Sequence, residues 1–258
     1  MDRFTPDFLR RLEALRLAIR RRAAGAREGN RASGRPGGGA VHLTHRPYSQ
    51  GDDFRAIDWN LYARLGELFV REREREVAAK LHVVLDGSAS MRAGGKLDVA
   101  RRLAAALGVI AEVEGGEALL WCGAPQKLTV DALDRLADGP PASVSARALP
   151  ERALAVAITD PWDEPSLAAP STLVHILSRE EIEPSARGMV RAVDSETGET
   201  VDRFVGDEEI AAYKRLLAER LEKWRDWAHR REVGYVRCTT ADDFDEVVKL
   251  FVREGVLA

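Results

Sequence analysis

A chain of 258 residues that is 45% apolar has room for one large domain, or one domain with appendages, and enough core-forming side chains to fold as a globule. Its 39 basic and 42 acidic residues leave a net charge of -3, unevenly spread: residues 1–46 hold 11 Arg against 4 acids, a local +7, and the remainder carries -10. A membrane span, a leader peptide and a disulfide framework are all disfavoured, because the longest apolar run (153–158) is far below the ~18 residues that cross a bilayer, the N-terminus is charged where a leader is apolar, and Cys122 and Cys238 lie in apolar runs that suit buried thiols. The expectation is a soluble, cytoplasmic protein.

Leu9, Leu12, Leu15 and Ile19 recur at helical spacing through residues 7–23, with arginines between them, and predict a basic amphipathic helix. Residues 25–40, rich in Gly and Arg, read as a mobile linker. The segment from Arg46 to Trp59 is dense in special residues. There Asp52 or Asp53 can cap a following helix, Ile57, Leu61 and Leu65 would form its buried stripe, and Arg55, Asp58 and Arg64 would pair on its polar side.

From residue 80 the chain alternates strand and helix, the pattern of a doubly wound, mostly parallel sheet covered on both faces. Strands are expected at 82–86, 118–122, 153–159 and 173–177, and a helix at 97–113 with Ala100, Leu103, Ala104, Leu107, Ile110 and Ala111 on its buried face. After residue 188 a β-hairpin is expected around Ser195-Glu196-Thr197-Gly198. A long helix with Ile210, Tyr213, Leu217, Leu221 and Trp224 on one stripe follows, then a strand at 235–239 and a helix at 244–252 opened by Asp242-Asp243. The implied division is an arm and linker (1–40), a middle segment (41–79) and an α/β domain with a C-terminal extension (80–258).

Ligands of such sheets bind beyond the carboxyl ends of the strands, and Asp86 and Asp160 stand at two of those ends. Asp86-Gly87-Ser88-Ala89-Ser90-Met91 follows an apolar strand and offers one carboxylate and two hydroxyls at alternate positions, oxygen ligands of the kind a hard cation takes. One acid with two neutral hydroxyls leaves a divalent cation most of its charge, free to attract an acidic group of another molecule. Ala93-Gly94-Gly95-Lys96-Leu97 resembles the tail of a phosphate-binding loop but lacks the required Gly at Ser90 and hydroxyl at Leu97. His82 and His175 fall inside strands, His42 and His45 beside the linker and His229 on a helix, with no converging set for zinc. No catalytic constellation stands out.

Gly51-Asp52-Asp53, Arg55, Ile57-Asp58-Trp59 and Ala63-Arg64, followed by Asp86-Gly87-Ser88-Ala89-Ser90-Met91, resemble the signature of domain of unknown function family 58, and Val193-Asp194-Ser195-Glu196-Thr197-Gly198 and Arg253-Glu254-Gly255 also fit it. The resemblance runs from about His42 to the C-terminus. It implies a von Willebrand factor type A-like fold with a metal-ion-dependent adhesion site (MIDAS). By that likeness Asp86, Ser88 and Ser90 form the first ligand loop, and Asp160 is the strand-end acid opposite, with Mg²⁺ as the cation. The family further implies a non-enzymatic, chaperone-like partner of a MoxR-type AAA+ ATPase or its client.

The type A site also takes a Thr from a middle loop, and here the interval before residue 153 is short. Ser143 and Ser145 are the nearest substitutes, with Thr129 weaker, and Asp163 could add a ligand through water. Three prolines (Pro161, Pro165, Pro170) reduce the usual helix after Asp160 to a loop. A vestigial site, in which Ser88 and Ser90 merely hydrogen-bond the turn and cap the next helix, is the competing reading. Two further alternatives are a Mg²⁺-dependent phosphoesterase using Asp86, Asp160 and Asp163, and nucleic-acid binding by the basic arm.

Overall fold

A computed structural model describes residues 4–32, 43–49, 57–73, 80–136, 149, 153–162 and 172–253. The chain divides into two compact units, residues 21–78 on the one hand and 1–20 with 79–258 on the other. The helix α1 (Pro6–Ala32) passes from one into the other.

In the smaller unit, β1 (Leu43–Pro47) pairs antiparallel with β2 (Phe69–Arg73), and the helix α2 (Trp59–Leu65) lies between them in sequence. Asp58 starts α2: its carboxylate accepts the Leu61 N–H at 3.2 Å, and its own N–H donates to Phe69 O at 2.9 Å. The helix therefore begins later than a cap at Asp52 or Asp53 implies, and those two residues lie outside the described ones. Ile57 is buried through a bridge to Val70, whereas Leu65 is exposed, so the expected Ile57–Leu61–Leu65 stripe does not form.

The larger unit is built on a six-stranded sheet. It comprises β3 (Leu81–Leu85), β4 (Ala118–Cys122), β5 (Ala124–Lys127), β6 (Leu154–Thr159), β7 (Thr172–Leu177) and β10 (Gly234–Thr239), in the order β10-β7-β6-β3-β4-β5. All neighbours are parallel except β5, which turns back antiparallel on β4. The short helices α3 (Ala89–Arg92), α5 (Val130–Arg135) and α6 (Arg179–Ile182) and the long helices α4 (Lys96–Val113) and α7 (Asp207–Arg230) lie between strands in sequence, and α8 (Phe244–Arg253) follows β10. A separate ribbon of β8 (Gly188–Val193) and β9 (Thr200–Val205) precedes α7. This is the doubly wound α/β architecture, with its added hairpin, that the alternation predicts.

Alternating strand side chains divide the core. Val83, Leu85, Val156, Ile158, Val174 and Ile176 pack with α4, α8 and the start of α1, and the α4 residues Leu103 and Leu107 are buried there. Full burial of each such side chain contributes about 1.5–3 kcal/mol. On the opposite face Val84, Ala157 and Leu173 meet Trp224 and Ala228 of α7. All six positions of the predicted α4 stripe are buried, and so are Ile210, Leu217 and Trp224 of α7.

Two expectations about α1 are corrected. The helix continues to Ala32, through the first part of the segment read as a linker, because strong helix formers around Gly25 and Gly29 offset roughly 1 kcal/mol lost at each glycine. Its buried residues are Phe8 and Leu12, joined by Phe4 just before it, while Leu9 is exposed. Phe8 meets Phe244 of α8 edge-on at 5.0 Å, and an aromatic ring one position from Leu9 wins the inward face.

Candidate interaction site at the switch point

The chain leaves β3 toward β4 on one side, and β6 returns on the other, so the crevice between the carboxyl ends of β3 and β6 is the topological switch point. Asp86 and Asp160 follow these two strands directly and flank that crevice.

Asp86 is half-buried and organises its own loop. Its Oδ1 accepts the Ser88 N–H at 2.8 Å, and its Oδ2 accepts the Thr159 hydroxyl at 2.7 Å, tying the end of β3 to the end of β6. Ser88 is buried, and its Oγ lies 3.1 Å from Ser90 Oγ. Neither serine caps a helix: Ser88 begins α3 without a side-chain capping bond, and α4 starts from Gly95. The two hydroxyls thus meet each other within the loop that Asp86 organises.

Asp160 is fully buried and differently engaged. Its Oδ2 lies 2.8 Å from Lys96 Nζ, and its Oδ1 accepts the Trp162 N–H at 3.1 Å. Lys96, also buried, reaches Glu181 Oε1 at 2.8 Å, and that oxygen accepts the Trp162 indole N–H at 3.0 Å as well. Burial works against the ammonium, but hydrogen bonds and charge from Asp160 and Glu181 outweigh it and raise the Lys96 pKa. The strand-end acid that the resemblance offers as the opposite metal arm is therefore balanced by a cation from this chain's own helix.

Helix α7 holds the Asp160 loop in place. Arg220 donates to Pro161 O at 2.8 Å and Trp162 O at 2.6 Å, and the Trp224 indole donates to Pro161 O at 3.0 Å. Glu181 is fixed by a capping box, in which Ser178 Oγ accepts the Glu181 N–H and Glu181 Oε2 accepts the Ser178 N–H.

Of the residues singled out in the sequence, the structure gathers Asp86, Ser88 and Ser90, and sets Asp160 across the crevice. Ser143, Ser145 and Asp163 lie outside the described residues, as do Gly51, Asp52, Asp53 and Arg55 of the signature. Asp58 has the capping role given above, Trp59 opens α2, and Arg64 is exposed. Thr129 cannot act as a middle-loop ligand. The antiparallel β5 carries the chain back to the amino edge of the sheet, where Leu128 N–H donates to Ala118 O and Thr129 caps α5 through a 3.1 Å bond from Ala132 N–H.

The buried strand histidines have partners: His82 Nδ1 accepts the Trp121 indole N–H at 2.9 Å, and His175 Nδ1 lies 3.1 Å from the Tyr235 hydroxyl. Thr159 and Glu181 escaped the sequence reading, and Lys96 entered it only in the comparison with a phosphate loop. Lys96 was detectable, since it precedes Ala100 by one helical turn and so shares the buried face of α4. Glu181 sits in a Ser-x-x-Glu capping signature.

The donor set fits a hard cation at one arm. Asp86, Ser88 and Ser90 supply a carboxylate and two hydroxyls within one loop, a small protein share such as Mg²⁺ accepts when waters complete its shell. Among the described residues no group of three His, Cys, Asp or Glu side chains is placed to hold a metal.

The model of the family described as "Protein of unknown function DUF58" matches residues 44–129. That segment is a DUF58 segment. It contains Asp58, Trp59 and Arg64 as well as the Asp86–Ser90 loop, so the two motifs that carry the resemblance fall inside one match. No curated protein and no solved structure matches the chain. Among the described residues no helix is long and apolar enough to cross a membrane.

Proposed function

We propose that this protein is a non-enzymatic interaction module that binds an acidic group of a partner protein at the Asp86-Ser88-Ser90 loop. The observation that supports it is the pairing of the Ser88 and Ser90 hydroxyls beside the Asp86 carboxylate, at the switch point and free of any capping duty. Asp86, Ser88 and Ser90 would hold Mg²⁺ in a MIDAS-like arrangement. The cation, when bound, supplies positive charge that one carboxylate leaves largely unneutralised.

The chain's own residues do the remaining work. Asp86 orients the loop by accepting the Ser88 N–H, while Thr159 locks Asp86 to the neighbouring strand. Lys96 pairs with Asp160, which lowers the negative charge that the far wall of the crevice sets against an incoming acid. A MoxR-type AAA+ ATPase or its client is the partner class implied by the resemblance.

Substituting Asp86→Ala is expected to abolish Mg²⁺ binding measured by calorimetry, together with association with a purified MoxR-type ATPase. Asp86→Asn, which keeps an acceptor for the Ser88 N–H, should retain the fold by circular dichroism and lose both. Partner binding that survives loss of the metal would overturn the metal bridge.

A further inference from the structure

Glu196 at the tip of the β8–β9 ribbon reaches the same loop from 106 residues away, and its Oε1 accepts the Ser90 N–H at 2.7 Å. The tip is built to present it. Asp194 Oδ1 accepts the N–H groups of both Glu196 and Thr197 at 2.8 Å, the Asp194 N–H donates to Glu199 O at 2.8 Å, and Gly198 takes the left-handed φ of +73° that closes the turn.

The ribbon behind the tip is lightly held. β8 and β9 form a two-stranded sheet of their own, and Met189, Val193, Val201 and Phe204 are all exposed. Segments with few buried apolar contacts are those that open most readily. A preformed tip on a loosely packed ribbon, ending in a carboxylate seated against the Ser88–Ser90 loop, has the form of a latch.

We propose that Glu196 is an in-chain occupant of the seat that a partner's acid takes. In this conformation the site is closed by its own hairpin, and a partner gains access by displacing the tip. The inference rests on the reading above that the loop receives an acidic group. It also narrows the partner chemistry: the group that fits is a side-chain carboxylate presented at the tip of a turn, as Glu196 is.

The test is amide exchange and acetate titration on the full chain, wild type against Glu196→Gln, read at the Ser90 amide by NMR. The variant is expected to exchange at Ser90 at least about tenfold faster while the β3 amides stay protected, since the carboxylate acceptor is weakened and the tip released. Unchanged Ser90 exchange would overturn the latch. Acetate should shift the Ser90 resonance saturably in Glu196→Gln and not in wild type; an equal response in both would overturn the occupancy. Repeating the titration with and without Mg²⁺ separates the two ideas. A Mg²⁺-dependent response supports both, whereas a Mg²⁺-independent one supports the latch and removes the metal from the proposed function.

Discussion

Replacing Lys96 with methionine is expected to lower the unfolding free energy by about 3–5 kcal/mol, the cost typical of breaking a buried ion pair from one side. Asp160 would keep its Trp162 N–H bond but lose its counter-charge at a position with no solvent access. The raised Lys96 pKa means that the ammonium is charged below its ordinary 10.5 and above it, so this stabilisation is lost only as pH rises through the raised value, in alkali. Urea denaturation at neutral pH measures the effect. Adding Asp160→Asn to Lys96→Met should recover part of the loss, because the stranded charge is then gone. A single-variant loss below about 1 kcal/mol would show that the buried pair is not what holds the β6 end to α4.

The second large effect is acid sensitivity centred on His175. Burial, reinforced by Arg220 and opposed by Asp160, depresses its pKa from 6.5 to about 3. Its ring is enclosed by Trp224 at 5.0 Å and Tyr235 at 5.3 Å, both edge-on, and its Nε2 has no hydrogen-bond partner among the described residues. Below pH 6.5 the unfolded chain takes up a proton that the folded one refuses. Stability attributable to this group is therefore full above that pH and lost as pH falls toward 3. The slope is about 1.4 kcal/mol per pH unit, hence about 2 kcal/mol between pH 6.5 and 5. Denaturation series across that window should show a slope shallower by this amount in His175→Phe; identical slopes would remove His175 as the cause.

The sheet and its order of elements were legible because their signals are local. An apolar run ended by Asp86, an α4 stripe repeating every three or four residues and a turn sequence between β8 and β9 each depend on neighbours in the chain. The candidate site was legible only along its first loop. Thr159 belongs to it because β6 lies beside β3, Glu196 because a hairpin folds back over 106 residues, and Lys96 because a charged residue follows the buried face of α4 inward. Of the three, only the place of Lys96 could be read from spacing, one helical turn before Ala100. Lys96 was obscured further by the glycines before it, which drew the comparison with a phosphate loop. Its role is the reverse, a cation supplied inward to the protein's own acid. Thr129 misled for a topological reason, since only the antiparallel pairing of β5 shows which edge of the sheet it occupies.

The contact between α1 and α8 bears on how the molecule is made. Phe8 packs on Phe244, and Arg11 reaches Asp243 at a sequence separation of 232 and a side-chain distance of 3.4 Å. A ribosome adding about 5–20 residues per second takes on the order of 10–50 s to cover that interval. Throughout it, the apolar face of the first helix has no docking partner from the last. Contacts this distant in sequence also slow folding, because the intervening chain must be ordered before they are rewarded. During synthesis, then, the Phe4–Phe8–Leu12 face can pack on α4 first, and its cover is completed only when α8 is made.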